Sequence, residues 1–121
     1  MNKPLFSVIT VTYNAEQVVL PTLKSLSSQT CTDYEHLVID GASTDRTLAV
    51  VKEFDSPRLR IICEPDKGLY DAMNKGMAAA CGQYLLFLNA GDSFFDPQTL
   101  QALKQQIEET SSPDIIYGET A

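Results

Sequence analysis

Four short polar stretches carry side chains whose types and spacing could do chemistry. Asp40 follows the apolar run HLVI, and a carboxylate there can accept a hydrogen bond from a ribose hydroxyl or a base N–H. It can equally start the turn that caps the next helix, and position alone leaves both readings open. Asp92 stands after Asn89 in the Gly-containing turn NAGD. A carboxylate and a carboxamide oxygen there suit a hard divalent cation that keeps waters or phosphate oxygens as its other ligands. Taken alone, an Asx turn explains the same residues. Asp66-Lys67-Gly68 precedes a helical pattern, so backbone N–H groups and an ammonium gather where an anion is favoured, with Asn74, Lys75 and Gly76 further along. Tyr13 follows an apolar run instead of filling it, so its ring can stack on a planar base or cover a sheet end. The lone His36 has no Ser or Cys arranged with it as a nucleophile pair and reads as structural. Neither GxxxxGK[ST] nor GxGxxG occurs, which removes the P-loop and the dinucleotide fingerprint.

The elements that must hold these residues follow from hydrophobic period. Leu5–Thr12, His36–Asp40, Leu59–Cys63 and Tyr84–Leu88 predict strands, the first a β-branched run apolar on both faces and the last fully apolar. Ile115–Tyr117 predicts a final strand. Between them, Ala15–Ser28, Arg46–Phe54, Leu69–Ala80 and a segment from Asp96-Pro97 to Glu109 have helical spacing. Asn14 is the expected N-cap of the first helix, and Pro21 fits only if that turn is irregular. Gly82 is the expected left-handed stop of the third. Leu69, Met73, Met77 and Ala80 recur at helical spacing and are expected in the core. The alternation predicts an α/β sandwich with a mostly parallel sheet, in which ligands gather at the carboxyl ends of the strands.

Composition bounds the partners. The 121 residues fit one domain, 1–121, with 44% hydrophobic residues and room for a real core. A formal net charge of −7 would repel a phosphate backbone, so nucleic acid is not an expected partner. Cys31, Cys63 and Cys81 form no CxxC and read as buried or half-buried free thiols. No apolar run approaches the ~18 residues of a membrane span, and the chain reads as cytoplasmic.

The stretches SVITVTYNAE, SLSSQT, HLVIDGASTDRT and EPDKGLYDAMNKGMAAACGQYLLFLNAGD resemble, in order and spacing, the N-terminal half of inverting family 2 glycosyltransferases. The resemblance runs from about Phe6 to Tyr117. It implies a GT-A fold, a Rossmann-like α/β/α sandwich, and transfer of a sugar from a nucleotide-diphosphate donor to an acceptor hydroxyl. It places Thr12, Tyr13 and Asn14 around the base, Asp40 beside base or ribose, and Asp66 and Lys67 over the nucleotide, with Asn74 on the facing helix. Asn89 and Asp92 stand where the family carries its DxD-type metal motif, for Mn²⁺ or Mg²⁺. The chain departs from that pattern at Gly41, where a second acid is common, and at Asn89 and Gly91, where acids are common. In the family the general base and most acceptor contacts lie beyond the equivalent of Ala121. The expectation is therefore a truncated donor-binding half without its catalytic base, acting with a glycan or lipid-linked acceptor in bacterial polysaccharide or envelope synthesis. Self-association of the cut sheet is expected with it. The competing expectation is a non-catalytic α/β nucleotide-binding or protein-interaction module.

Overall fold

A computed structural model describes residues 4–54, 57–93 and 96–109. The order is β1 (Phe6–Thr12), α1 (Val19–Ser27), β2 (Tyr34–Asp40), α2 (Thr47–Lys52), β3 (Leu59–Cys63), α3 (Leu69–Ala79), β4 (Tyr84–Phe87) and α4 (Thr99–Glu109). The strands form one sheet in the order β3-β2-β1-β4, and every pairing is parallel. Register follows residue by residue, with Thr12 opposite Asp40 and Asp40 opposite Cys63, so the polar strand ends stand level. The expected strand at Ile115–Tyr117 lies outside the described residues.

Successive side chains in a strand face opposite ways, and the core splits accordingly. Phe6 and Val8 pack with Leu26 of α1 and Leu100 of α4, while Val38 packs with Val19 and Leu23 of α1 and Val51 of α2. Ile9, Leu37 and Ile39 meet Ala72 of α3 on the other face. Apolar cover on both faces explains why β1 and β2 read as nearly continuous hydrophobic runs.

Three helix expectations need correction. The first helix begins at Val19 and has no side-chain cap. Ala15–Val18 form an irregular turn in which the Val18 and Val19 N–H groups both donate to Ala15 O. Pro21 thereby falls in the first helical turn, where its missing N–H would have had no partner in any case. Asn14 instead sits at φ 48 and clasps a neighbouring loop. On α3 the buried residues are Ala72 and Gly76, whereas Leu69 is 50% and Met77 37% exposed. The helix seats on the sheet through its small residues, which bring its axis close and leave the long side chains at the rim.

Gly82 does not take the left-handed stop: α3 ends at Ala80 in extended backbone. Gly82 is there for close approach, since a Cβ would lie 2.7 Å from Phe6 C and Ser7 N. Among the thiols Cys31 is buried, but Cys63 and Cys81 are exposed. Among the described residues no helix is long and apolar enough to cross a membrane.

Candidate functional site at the carboxyl ends of the strands

A cleft of about 520 Å³ opens where β1, β2 and β3 end. Val11 and Tyr13 line it from the end of β1, Gly41 from the end of β2, and Pro65, Asp66, Gly68 and Leu69 from the turn into α3. Tyr13 is 63% exposed and falls just after the last paired residue of β1.

Asp40 is fully buried and off the lining of this cleft. Its Oδ1 accepts from the Thr12 hydroxyl at 2.7 Å and the Ser43 hydroxyl at 2.6 Å. Its Oδ2 accepts from the Ser43 N–H at 2.8 Å and faces the Cys63 thiol at 3.6 Å. Burial alone would raise this carboxyl's pKa; the bonds from Ser43, Thr12 and Cys63 outweigh it and hold the group below its usual value. Asp40 thus fixes the 41–44 loop, the turn-starting alternative open from sequence. Asn14 clasps the same loop: its N–H donates to Ser43 Oγ at 2.8 Å and its Oδ1 accepts from the Thr44 N–H at 2.8 Å.

The Asp66 turn is held from both sides. Asp66 Oδ1 accepts from the Gly68 N–H at 3.1 Å, and Asp71 of α3 accepts from the Lys67 N–H at 2.9 Å. Lys75 reaches back from α3 to Pro65 O at 2.7 Å and to Glu64 at 3.2 Å. Lys67 and Asn74 are exposed and do not line the cleft.

The NAGD turn follows β4. Asp92 N–H donates to Asn89 O at 2.9 Å, and Thr22 of α1 clamps the turn, donating to Asp92 O at 2.6 Å and accepting from the Gly91 N–H at 3.0 Å. Asp92 is exposed, while Asn89 Oδ1 is buried with no hydrogen-bond partner. A buried oxygen without a donor costs free energy unless something satisfies it. An orphaned carboxamide oxygen and a free carboxylate on one turn are hard-oxygen donors that fit a divalent cation. Among the described residues no three His, Cys, Asp or Glu side chains form a metal cluster, so the remaining ligands would come from phosphate and water.

The structure therefore brings Tyr13 and Asp66 to the cleft. It sets Thr12, Asn14 and Asp40 beneath or beside it as a bonded framework, and puts Asn89 and Asp92 on a separate turn. Sequence reasoning missed Thr22 and Lys75 as the residues that position these turns. Thr22 meets Asp92 across 70 residues of chain, and no local pattern announces such a contact.

Comparison with known proteins identifies the family and the fold. A model of glycosyl transferase family 2 matches residues 7–119. A PGL/p-HBAD biosynthesis glycosyltransferase of Mycobacterium tuberculosis is 41% identical over 122 residues, which covers 98% of this chain and 48% of that protein. The chain spans about half the length of the mycobacterial relatives it matches. The structure of S. aureus TarS 1-349 in complex with UDP-GlcNAc superimposes with a TM-score of 0.81 at 31% identity, covering 86% of this chain and 31% of that one. The mannosyltransferase PcManGT from Pyrobaculum calidifontis, in complex with GDP-Man and Mn2+, gives 0.77 at 23% identity over 93% of this chain and 34% of its own. The fold is that of the GT-A glycosyltransferases. A family model that runs across nearly every described element leaves one assignment: the chain belongs to glycosyl transferase family 2.

Proposed function

We propose that this chain is the donor-binding part of a glycosyltransferase that holds a nucleotide-diphosphate sugar for transfer to an acceptor hydroxyl with inversion. The observation that carries this reading is the cleft at the carboxyl ends of β1–β3, with the exposed Tyr13 ring at its mouth and Asp66 on its wall. TarS in complex with UDP-GlcNAc and PcManGT in complex with GDP-Man support a donor of this class.

Tyr13 stacks on the base, and Thr12, Asn14 and Asp40 hold the loops that shape its pocket. Lys67, exposed beside α3, offers its ammonium to the donor's phosphates. Asn89 and Asp92 are the residues that would hold Mn²⁺ or Mg²⁺, which would supply Lewis-acid charge neutralisation to the departing nucleotide diphosphate. A domain of net charge −7 repels a diphosphate, so its binding depends on such neutralisation. No general base is assigned to a described residue: Asp40 is buried and bonded, and Asp92 serves the metal. The acceptor is a glycan or lipid-linked hydroxyl of bacterial envelope synthesis, and the reaction is assigned to the cytoplasmic side. The mycobacterial relative is named for PGL/p-HBAD biosynthesis.

Titration calorimetry tests the reading with UDP, GDP and dTDP in the presence of Mn²⁺. Binding is expected, abolished by EDTA and weakened at least about tenfold by Asp92→Ala. Absence of binding to all three, with Asp92→Ala indistinguishable from the parent, overturns it. Light scattering tests the expected self-association, which a monodisperse monomer at all concentrations removes.

A further inference from the structure

We infer that Asp66 selects the nucleobase, accepting a hydrogen bond from a protonated ring nitrogen, and that Gly41 is the position that lets it do so. The inference rests on the nucleotide-donor reading above and adds which bases the cleft takes.

Three observations combine. Asp40, the acid at the end of β2, is fully buried with both oxygens engaged by Thr12, Ser43 and Cys63, so it offers nothing to a ligand. Among the described residues that line the cleft, Asp66 is the one carboxylate. Its side chain lies in the space a residue 41 side chain would fill: a Cβ on Gly41 would stand 2.7 Å from Asp66 Oδ2 and 3.2 Å from its Cγ. Real Cβ atoms do not approach an oxygen that closely, so any larger residue at 41 must push the carboxylate away.

The carboxylate is also aimed. Oδ1 is tied to the Gly68 N–H, and Lys75 pins the preceding residues to α3 through Pro65 O and Glu64. Oδ2 accepts no hydrogen bond within the protein among the described residues and lies over Gly41, which lines the cleft with Asp66. The flanking walls are apolar or aromatic, from Val11, Tyr13, Pro65 and Leu69. Such a slot takes a planar ring between its walls and meets the ring's edge with an acceptor-only group.

That geometry discriminates. Uracil and thymine present N3–H, and guanine N1–H, to an edge-on carboxylate. Cytosine and adenine present a ring-nitrogen lone pair at the same place. Their exocyclic amine can reach Oδ2 only with that lone pair turned toward the same carboxylate. The charge-assisted bond is gained in the first group and replaced by repulsion in the second.

The test is titration of the full chain with UDP, GDP, CDP and ADP at one Mn²⁺ concentration. The parent is expected to bind UDP and GDP at least about tenfold more tightly than CDP and ADP. Asp66→Asn, whose amide can donate to a ring lone pair, is expected to shrink that ratio to about threefold or less, largely by weakening UDP. Gly41→Ala is expected to do the same by displacing the carboxylate, and to add no further loss of selectivity in an Asp66→Asn background. Thermal melts of each variant separate this from misfolding, and Asp66→Asn carries the test alone if Gly41→Ala does not fold. Equal binding of all four nucleotides by the parent, or unchanged selectivity in Asp66→Asn, overturns the inference and leaves the donor site standing. Failure of the parent to bind any of the four overturns both.

Discussion

Asp40 ends β2, Asp66 follows the neighbouring β3, and their surroundings are opposite: one carboxylate is spent inside the protein, the other lines the cleft. The first has a measurable structural consequence. Asp40→Asn keeps the shape but puts an N–H₂ against donors from Ser43, Thr12 or Cys63, so at least one buried donor loses its acceptor. A loss of roughly 2–3 kcal/mol in urea denaturation is expected. A variant that keeps its stability but no longer binds UDP would instead make Asp40 a ligand contact. Residue chemistry was legible here only as far as type and spacing go. The acid at the end of β2 and the EPDKG turn stood out, yet nothing in the sequence distinguished the acid with both oxygens bonded from the one with an oxygen to spare. That distinction depends on Ser43 folding back and on the missing side chain at Gly41, both properties of the packed loop. Ala42 adds a second instance: it sits at φ 62, a conformation alanine gives no sign of in sequence.

At the scale of elements, the end of the sheet opposite the cleft is held by one bonded cluster. The Ser7 hydroxyl and the Cys81 N–H both donate to Glu35 Oε2 at 2.6 Å, the Gly82 N–H donates to Ser7 Oγ at 2.7 Å, and Arg60 reaches Glu35 Oε1 at 2.7 Å. The cluster joins β1, β2 and β3 to the turn that launches β4. Its tightness is why residue 82 is glycine: a Cβ would meet Ser7 Oγ at 2.6 Å and β1 backbone at 2.7 Å. Gly82→Ala is expected to cost about 2–3 kcal/mol by chemical denaturation, since rigid backbone must move to admit the methyl. A neutral substitution would show that the turn can slide along β1. The four described strands and their helices were legible from hydrophobic period, because a buried parallel sheet writes nearly continuous apolar runs. Boundaries and seating were not. α1 starts at Val19 because Ala15–Val18 form an irregular turn, its Ala15 N–H bonded to the distant Thr47 hydroxyl. α3 packs through Ala72 and Gly76, where periodicity favours the larger Met73 and Met77.

For the molecule as a whole, two pH effects oppose each other. The sequence pI is about 4.5, so acidifying from neutrality removes the net charge of −7 and relieves self-repulsion. Exposed charges are already screened over roughly 8 Å at physiological ionic strength, which keeps that gain small. Against it stands His36 in β2, which bonds Thr10 Oγ1 at 2.8 Å and borders a small cavity also lined by Tyr34, Arg58 and Phe54. Burial holds its imidazole neutral and lowers its pKa from 6.5 to about 4. The sign follows from proton counting. Below pH 6.5 the unfolded chain takes up a proton that the folded chain refuses, so stability falls as pH falls, until the folded pKa is reached. That gap is worth roughly 3 kcal/mol in total. Glu35 and Asp40 act in the same direction at lower pH. For each, burial alone would raise the pKa, but its hydrogen bonds lower it on balance, so its stabilising bonds fade as it protonates. The site effects exceed the screened repulsion, and maximum stability is expected near neutrality instead of at the pI. The melting temperature should drop between pH 7 and 4.5 by on the order of 10 °C. His36→Gln, which keeps a polar partner for Thr10 but cannot take up the proton, should melt with a much flatter profile over the same range. A parent whose melting temperature peaks at its pI would show that long-range charge, and not the buried imidazole, governs its acid response.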